Sequence, residues 1–214
     1  QKTAYEIGVR LVGSEMCIRD SIQIPHKFLR KITKDENFSL PEEGSYGTGL
    51  VFLPNEISDA KKCKSAFNEI VEENNAKILG WRDVPIDLSS VGETAKGAAP
   101  KIQQIFIGNF KNIDTQMDIE RRLYVIRKCI EHKILDSKMD SNEDFYMPSL
   151  SSKTMIYKGM LLTEQVETVF LDLQNPEIDS AIALVHSRFS TNTFPWHGQT
   201  GSLTTKKYWK RGQK

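Results

Sequence analysis

Through its middle this chain alternates β-type runs with amphipathic helices, and that alternation constrains the fold more than any single segment. GTGLVFLP, Gly47 to Pro54, is rich in branched and aromatic residues and is closed by Pro54, the mark of a strand. Ser58 or Asp59 then caps a predicted helix whose apolar positions are Ala60, Cys63, Phe67, Ile70 and Val71. That spacing leaves Lys61, Lys64, Glu69 and Glu72 for solvent. KILGWRDVP, Lys77 to Pro85, reads as a second strand, and QQIFIGNF, Gln103 to Phe110, as a third. A longer helix is predicted from the Thr115–Asp118 capping pair and the stripe Ile119, Leu123, Ile126, Ile130. Its last turn carries Lys128, His132 and Lys133, favourable beside the negative end of a helix dipole. Two β-type stretches follow, Phe145 to Leu150 and Thr154 to Tyr157, split by a Ser-Ser-Lys turn. Thr163 opens a short helix over Glu164 to Phe170, and the last strand is Ser180 to His186. Strands in runs with two interleaved helices predict an α+β layer structure with mixed or antiparallel sheets, not a βαβ chain.

Composition removes several classes of function. With 214 residues, 39% hydrophobic and 27% charged, the chain can build a sizeable core in one large domain or two small ones. Lys+Arg 29 against Asp+Glu 28 leaves a net charge of +1, which argues against a dedicated nucleic-acid binder. No apolar run approaches the ~20 residues of a membrane helix. Cys17, Cys63 and Cys129 have no CxxC spacing, and an odd count suits a reducing compartment. Cys63 lies on an apolar helix face and reads as a small buried hydrophobe. The histidines do not pair at metal-ligand spacings, so no metal site is expected. GSYGTG, Gly44 to Gly49, leads into a strand, so its glycines serve turns and strand edges and do not cradle phosphate.

The two ends read differently from the middle. RLVGSEMCIRDS, Arg10 to Ser21, looks like the conceptual translation of a sequencing-library adapter, with its end read in one frame as Met16 to Asp20. It lacks the apolar stretch and cleavage site of a signal peptide. Residues 1–21 are therefore expected to be foreign to the fold, with no stable place in it. After Trp196 the text HGQTGSLTTKKYWKRGQK loses apolar periodicity, and residues 197–214 are expected to be an unmatched basic tail. Lys206, Lys207, Lys210 and Arg211 with Tyr208 and Trp209 are too short a cluster to mark a nucleic-acid interface.

One stretch carries chemistry. In ALVHSRFSTNTFPW, 183–196, a run read as a buried strand ends in His186, Ser187 and Arg188, then Phe189, Ser190, Thr191, Asn192 and Thr193. A strand leaving the core for water accounts for this, with Arg188 an ordinary surface ion-pair residue. A planar cation with fixed hydroxyls at a strand end also suits a small carboxylate, because a guanidinium matches its two oxygens where lysine offers a point charge.

The stretches QIPHKFL at 23–29, YGTGLVFLP at 46–54, LGWRDVPID at 79–87, SLSSKTMIYKGML at 149–161 and ALVHSRFSTNTFPW at 183–196 occur in that order. Together they resemble the N-terminal class II glutamine amidotransferase domain of glutamate synthase, over residues 22–196. The resemblance implies an N-terminal-nucleophile hydrolase fold, an αββα sandwich, here incomplete at both ends. It implies that an N-terminal cysteine, with its own α-amino group as base, attacks the glutamine side-chain amide and releases ammonia. That cysteine would precede QIPH, where the adapter-like text stands. A His-Asn-Gly-Glu segment supplying oxyanion donors would follow FSTNTFP, where HGQTGSLTT stands. No catalytic residue is therefore assigned. By resemblance, Arg188 pairs with the α-carboxylate of glutamine, Thr191 adds a hydroxyl and Phe189 walls the pocket.

The implied partners are glutamine and the remaining synthase domains of the same polypeptide, with no nucleic acid and no membrane. FMN, an iron–sulfur cluster and NAD(P)H or ferredoxin are implied for the full-length enzyme and none for this fragment. The implied compartment is cytoplasmic, or a plastid. Two other readings stand beside this one: another class II amidotransferase, such as an asparagine- or glucosamine-forming enzyme, and a non-catalytic module that binds an amino acid or a partner protein.

Overall fold

A computed structural model describes residues 16–187 apart from 98, 138 and 140. Its elements are β1 (Met16–Gln23), α1 (His26–Asp35), β2 (Gly47–Leu53), α2 (Ile57–Glu73), β3 (Lys77–Asp83), α3 (Glu93–Lys96), β4 (Lys101–Gly108), α4 (Gln116–Leu135), β5 (Thr154–Leu161), α5 (Thr163–Val169) and β6 (Ala183–Ser187). They form two three-stranded sheets, ordered β2-β4-β3 and β5-β1-β6, with every pairing antiparallel. The chain is α+β, as its element pattern predicts.

In the sheet β2-β4-β3, strands β2 and β4 are buried on both faces. Val51, Leu53, Ile105 and Ile107 pack under α2 and α4, against Cys63, Phe67, Val71, Leu123, Ile126 and Ile130. The alternate residues Leu50, Phe52 and Ile102 pack the other way, onto Ile22, Met155, Tyr157 and Leu161 of the second sheet. Full burial of each such side chain contributes about 1.5–3 kcal/mol, which fixes both registers. Gly47 and Gly49 are small for a packing reason: a Cβ on Gly49 would stand 2.0 Å from the Ser149 carbonyl oxygen, and one on Gly47 2.3 Å from Leu123. The segment 145–151 makes isolated bridges to β2, Tyr146 with Phe52 and Ser151 with Thr48, in place of the predicted strand.

Local signals hold where they are short-range. The Thr115 hydroxyl oxygen accepts from the Asp118 N–H at 3.2 Å and starts α4 where the capping pair predicts. Helix α2 begins earlier than expected. Glu56, not Ser58 or Asp59, precedes it and accepts from the Ser58 N–H at 3.4 Å. Asp59 is occupied elsewhere, by the Lys62 ammonium at 2.8 Å and the Ser141 hydroxyl at 2.5 Å. Lys64, expected in solvent, lays its ammonium over the Trp81 ring at 4.9 Å.

Two expectations are corrected. Residues 16–21, expected outside the fold, form most of β1, the middle strand of its sheet. A strand ladder is made by backbone groups that any sequence supplies, so pairing alone does not depend on a selected pattern. Residues 1–15 and 188–214 lie outside the described residues. The run 181–185 is not buried throughout: Ile182 is 61% and Leu184 70% exposed. Strand β6 pairs only with β1 among the described strands, so the side chains that alternate away from the core meet no layer.

A polar network crosses the layer between the sheets. Arg82 of β3 donates through Nη2 to Asp172 at 2.6 Å and through Nη1 to Gln104 of β4 at 2.8 Å. Gln104 donates to the Thr48 hydroxyl at 3.0 Å, and the Tyr157 hydroxyl of β5 donates to the second oxygen of Asp172 at 3.2 Å. Arg82 and Asp172 are each 5% exposed. Removing one partner leaves a buried charge alone, so Asp172→Ala is expected to cost about 3–5 kcal/mol. The double variant Arg82→Met/Asp172→Leu should cost clearly less. Urea unfolding of the three proteins checks the order.

Candidate functional site

Sequence-distant motifs meet around the strand that leads to Arg188. Strand β6 ends at Ser187, opposite Ile18 of β1, which pairs on its other side with Gly159 of β5. The start of β6 is held by Gln23: its N–H donates to the Ser180 hydroxyl at 3.0 Å, and its side-chain oxygen accepts from the Ala181 N–H at 3.1 Å. The next residue, Ile24, donates its N–H to the Lys153 carbonyl at 3.1 Å, tying the QIPH segment to the Ser-Ser-Lys turn. His26 Nδ1 lies 3.1 Å from the Tyr46 hydroxyl. Burial lowers the His26 pKa, with Glu43 working against it and Arg30 with it. The three expected substrate-binding residues, Arg188, Phe189 and Thr191, lie outside the described residues. Only the backbone that delivers them is placed.

The turn at 149–153 is clamped from α4. Glu120 accepts from the Ser151 hydroxyl at 3.0 Å and from the Ser152 N–H. The Ser151 oxygen in turn accepts from the N–H groups of Lys153 at 3.0 Å and Thr154 at 3.2 Å. One acidic side chain thus fixes the point where the chain leaves β2 and enters β5. The hydroxyls of Ser149 and Ser152 are buried with no hydrogen-bond partner. Nothing near Glu120 in sequence announces its role, because the groups it holds are 31 and 32 residues away.

Neither Cys63 nor Cys129 is a candidate nucleophile. Cys63 is fully buried, and that burial pushes its thiol up to about 11, the opposite of an activated thiol. Cys129 is exposed, on the solvent side of α4. Cys17 sits in the body of β1 with its nitrogen in a peptide bond, so it has no free amine of its own to act as base. Among the described residues, no group of three or more His, Cys, Asp and Glu could hold a metal ion. No described helix is long and apolar enough to cross a membrane. A cleft of about 590 Å³ at the start of α4 is lined by Glu43, Gly44, Ser45, Asp114, Thr115 and Gln116. Its two carboxylates oppose a carboxylate ligand.

Residues 20–200 match the family described as class II glutamine amidotransferases. The chain belongs to that family. It is 43% identical over 174 residues to the NADPH glutamate synthase large chain of Bacillus subtilis, covering 81% of this chain and 11% of that protein. It is 38% identical over 176 residues to the corresponding large chain of Azospirillum brasilense, covering 81% of this chain and 11% of that one. Against ferredoxin-dependent glutamate synthase 1 of Arabidopsis thaliana it is 37% identical over 172 residues, covering 80% of this chain and 10% of that protein. The chain spans about a tenth of the length of the curated relatives it matches. The motifs that lead to this family are those that Gln23, Glu120 and the two sheets draw together.

The Glu120 clamp makes a direct prediction. Glu120→Ala removes the acceptor for a half-buried hydroxyl and a backbone N–H and is expected to cost about 2–3 kcal/mol. Glu120→Gln, which keeps one carbonyl oxygen, should recover part of the loss. Thermal unfolding measures both, and amide exchange at Ser152 and Thr154 should quicken in the alanine variant.

Proposed function

We propose that this chain is part of the ammonia-releasing glutaminase domain of a glutamate synthase, the enzyme that makes glutamate from glutamine and 2-oxoglutarate. The match of residues 20–200 to the class II amidotransferases carries this reading, and the synthase relatives give the parent. In it the two sheets and the α2–α4 layer belong to an αββα sandwich that this chain represents in part. The amidotransferase portion, expected over 22–196, is extended to 20–200 by that match; adapter-derived text precedes it and a basic tail follows it.

Arg188 is the substrate-binding residue of this reading. It follows Ser187, the last residue of β6, directly in the sequence. Its guanidinium donates two parallel N–H bonds to the glutamine α-carboxylate, Thr191 adds a hydroxyl donor to the same group, and Phe189 closes an apolar wall. In the parent a cysteine thiolate attacks the side-chain amide carbon. The amide nitrogen leaves as ammonia after taking up a proton, and water then cleaves the thioester to glutamate. In this reading the adapter-like text stands where that cysteine belongs, so the 214-residue chain binds glutamine and does not hydrolyse it. The parent's FMN, iron–sulfur cluster and NAD(P)H or ferredoxin belong to its other domains, which are also the partners of this one. Its setting is the cytoplasm or a plastid.

The test starts with ammonia release from glutamine by the 214-residue protein and by Cys17→Ala, both expected at background. Activity lost on Cys17→Ala would overturn the assignment of residues 1–21. A domain completed at both ends with the Bacillus subtilis sequence should form a glutamyl thioester. In that domain Arg188→Lys should weaken glutamine binding about a hundredfold, since the charge stays and the fork is lost. Thr191→Val should weaken it about fivefold, the scale of one neutral hydrogen bond. Full binding by Arg188→Lys would make the arginine a surface residue and end this reading of the site.

A further inference from the structure

Asp20 breaks a rule that the other buried acids of the described chain keep. Asp172 has Arg82 and Tyr157, and Asp59 has Lys62 and Ser141. Asp20 is 5% exposed, and its Oδ1 is buried with no hydrogen-bond partner. It stands on the middle strand of its sheet, paired with Tyr157 of β5 on one side and Val185 of β6 on the other. Val185 offers no polar side chain. The Tyr157 proton is given to Asp172. From the opposite sheet, the polar groups turned into this layer are Arg82, Gln104 and Thr48, bonded to Asp172, to one another and to the Ile105 carbonyl. Lys158, next to Tyr157 on β5, points to the other face by strand alternation and donates to the Tyr146 hydroxyl at 2.8 Å. Among the described residues no cation is bonded to Asp20, and a carboxylate oxygen left without a partner in such a place carries a large desolvation cost.

We propose that Asp20 makes the seating of β1 proton-dependent: the strand lies between β5 and β6 with Asp20 as the neutral acid and loosens when that acid ionises. Burial lifts the Asp20 pKa from 3.8 to about 6, with no opposing charge. A folded-state pKa above the unfolded value means that the folded chain holds the extra proton. Stability from this group is therefore complete below the unfolded pKa and is lost as pH rises through about 6. The loss falls on β6 as well, since β1 is its only strand partner among the described residues. The same geometry marks position 20 as one the fold builds for an uncharged side chain.

Urea unfolding of the 214-residue protein, Asp20→Asn and Asp20→Val at pH 5.0 and 7.5 tests this without glutamine, so its failure is separable from failure of the glutaminase reading. Between those pH values the unfolding constant of the parent should rise about tenfold more than that of either variant. The lowered pKa of His26 works in the opposite direction, but equally in all three proteins, and cancels in the comparison. At pH 7.5 both variants should be more stable than the parent, and the amides of β6 should exchange more slowly in Asp20→Asn. A pH slope unchanged by both substitutions overturns the proposal. So do variants that are less stable than the parent at pH 7.5 or fail to fold, since the carboxylate would then be making a needed contact.

Discussion

The ion pair between Arg82 and Asp172 is the constraint on which the relation of the two sheets depends. A guanidinium and a carboxylate, each almost wholly removed from water and 2.6 Å apart, are costly to bury and costlier still to separate. The pair is tolerable because its remaining hydrogen-bonding capacity is taken up by neighbours on different elements. Gln104 and Thr48 bind it into one sheet, and Tyr157 into the other. Apolar contact sets how much surface is buried, but a network of this kind accepts only one alignment. Sliding either sheet by a residue strands a charge or an amide.

From that alignment the geometry around the arginine loop follows. Tyr157 fixes β5, β5 and β6 flank β1, and the end of β6 is therefore placed relative to a core it touches only lightly. Gln23 and Glu120 refine the arrangement by holding chain segments together where strands begin: Gln23 the start of β6, Glu120 the turn into β5. Both act on backbone groups as well as side chains, which suits them to setting chain direction. This scaffold is that of a class II amidotransferase chain.

Asp20 sits in the same layer and shows what happens without such partners. Asp172 and Asp20 both face Tyr157, one through its hydroxyl and one across the ladder. One is ion-paired with an arginine, and the other is pushed toward its neutral form by burial alone. The contrast separates a carboxylate the fold is built around from one it merely contains.

Much of the architecture was legible along the chain because its causes are local. The Thr115–Asp118 cap, the stripe at Ile119, Leu123, Ile126 and Ile130, and the run Gly47–Leu53 are read from neighbours within one or two turns, and the structure returns them. The ordered motifs likewise led to the amidotransferase family, which the match over 20–200 bears out. Arg188, Phe189 and Thr191 were legible as chemistry but are not among the described residues. Tertiary structure alone decided the rest. The place of residues 16–21, the exposure of Leu184 and the roles of Gln23, Gln104, Glu120 and Asp172 depend on partners far away in sequence. Periodicity records whether a side chain has an apolar side to bury. It does not record which distant group will meet a buried polar atom, and that meeting exists only once the sheets have closed on each other.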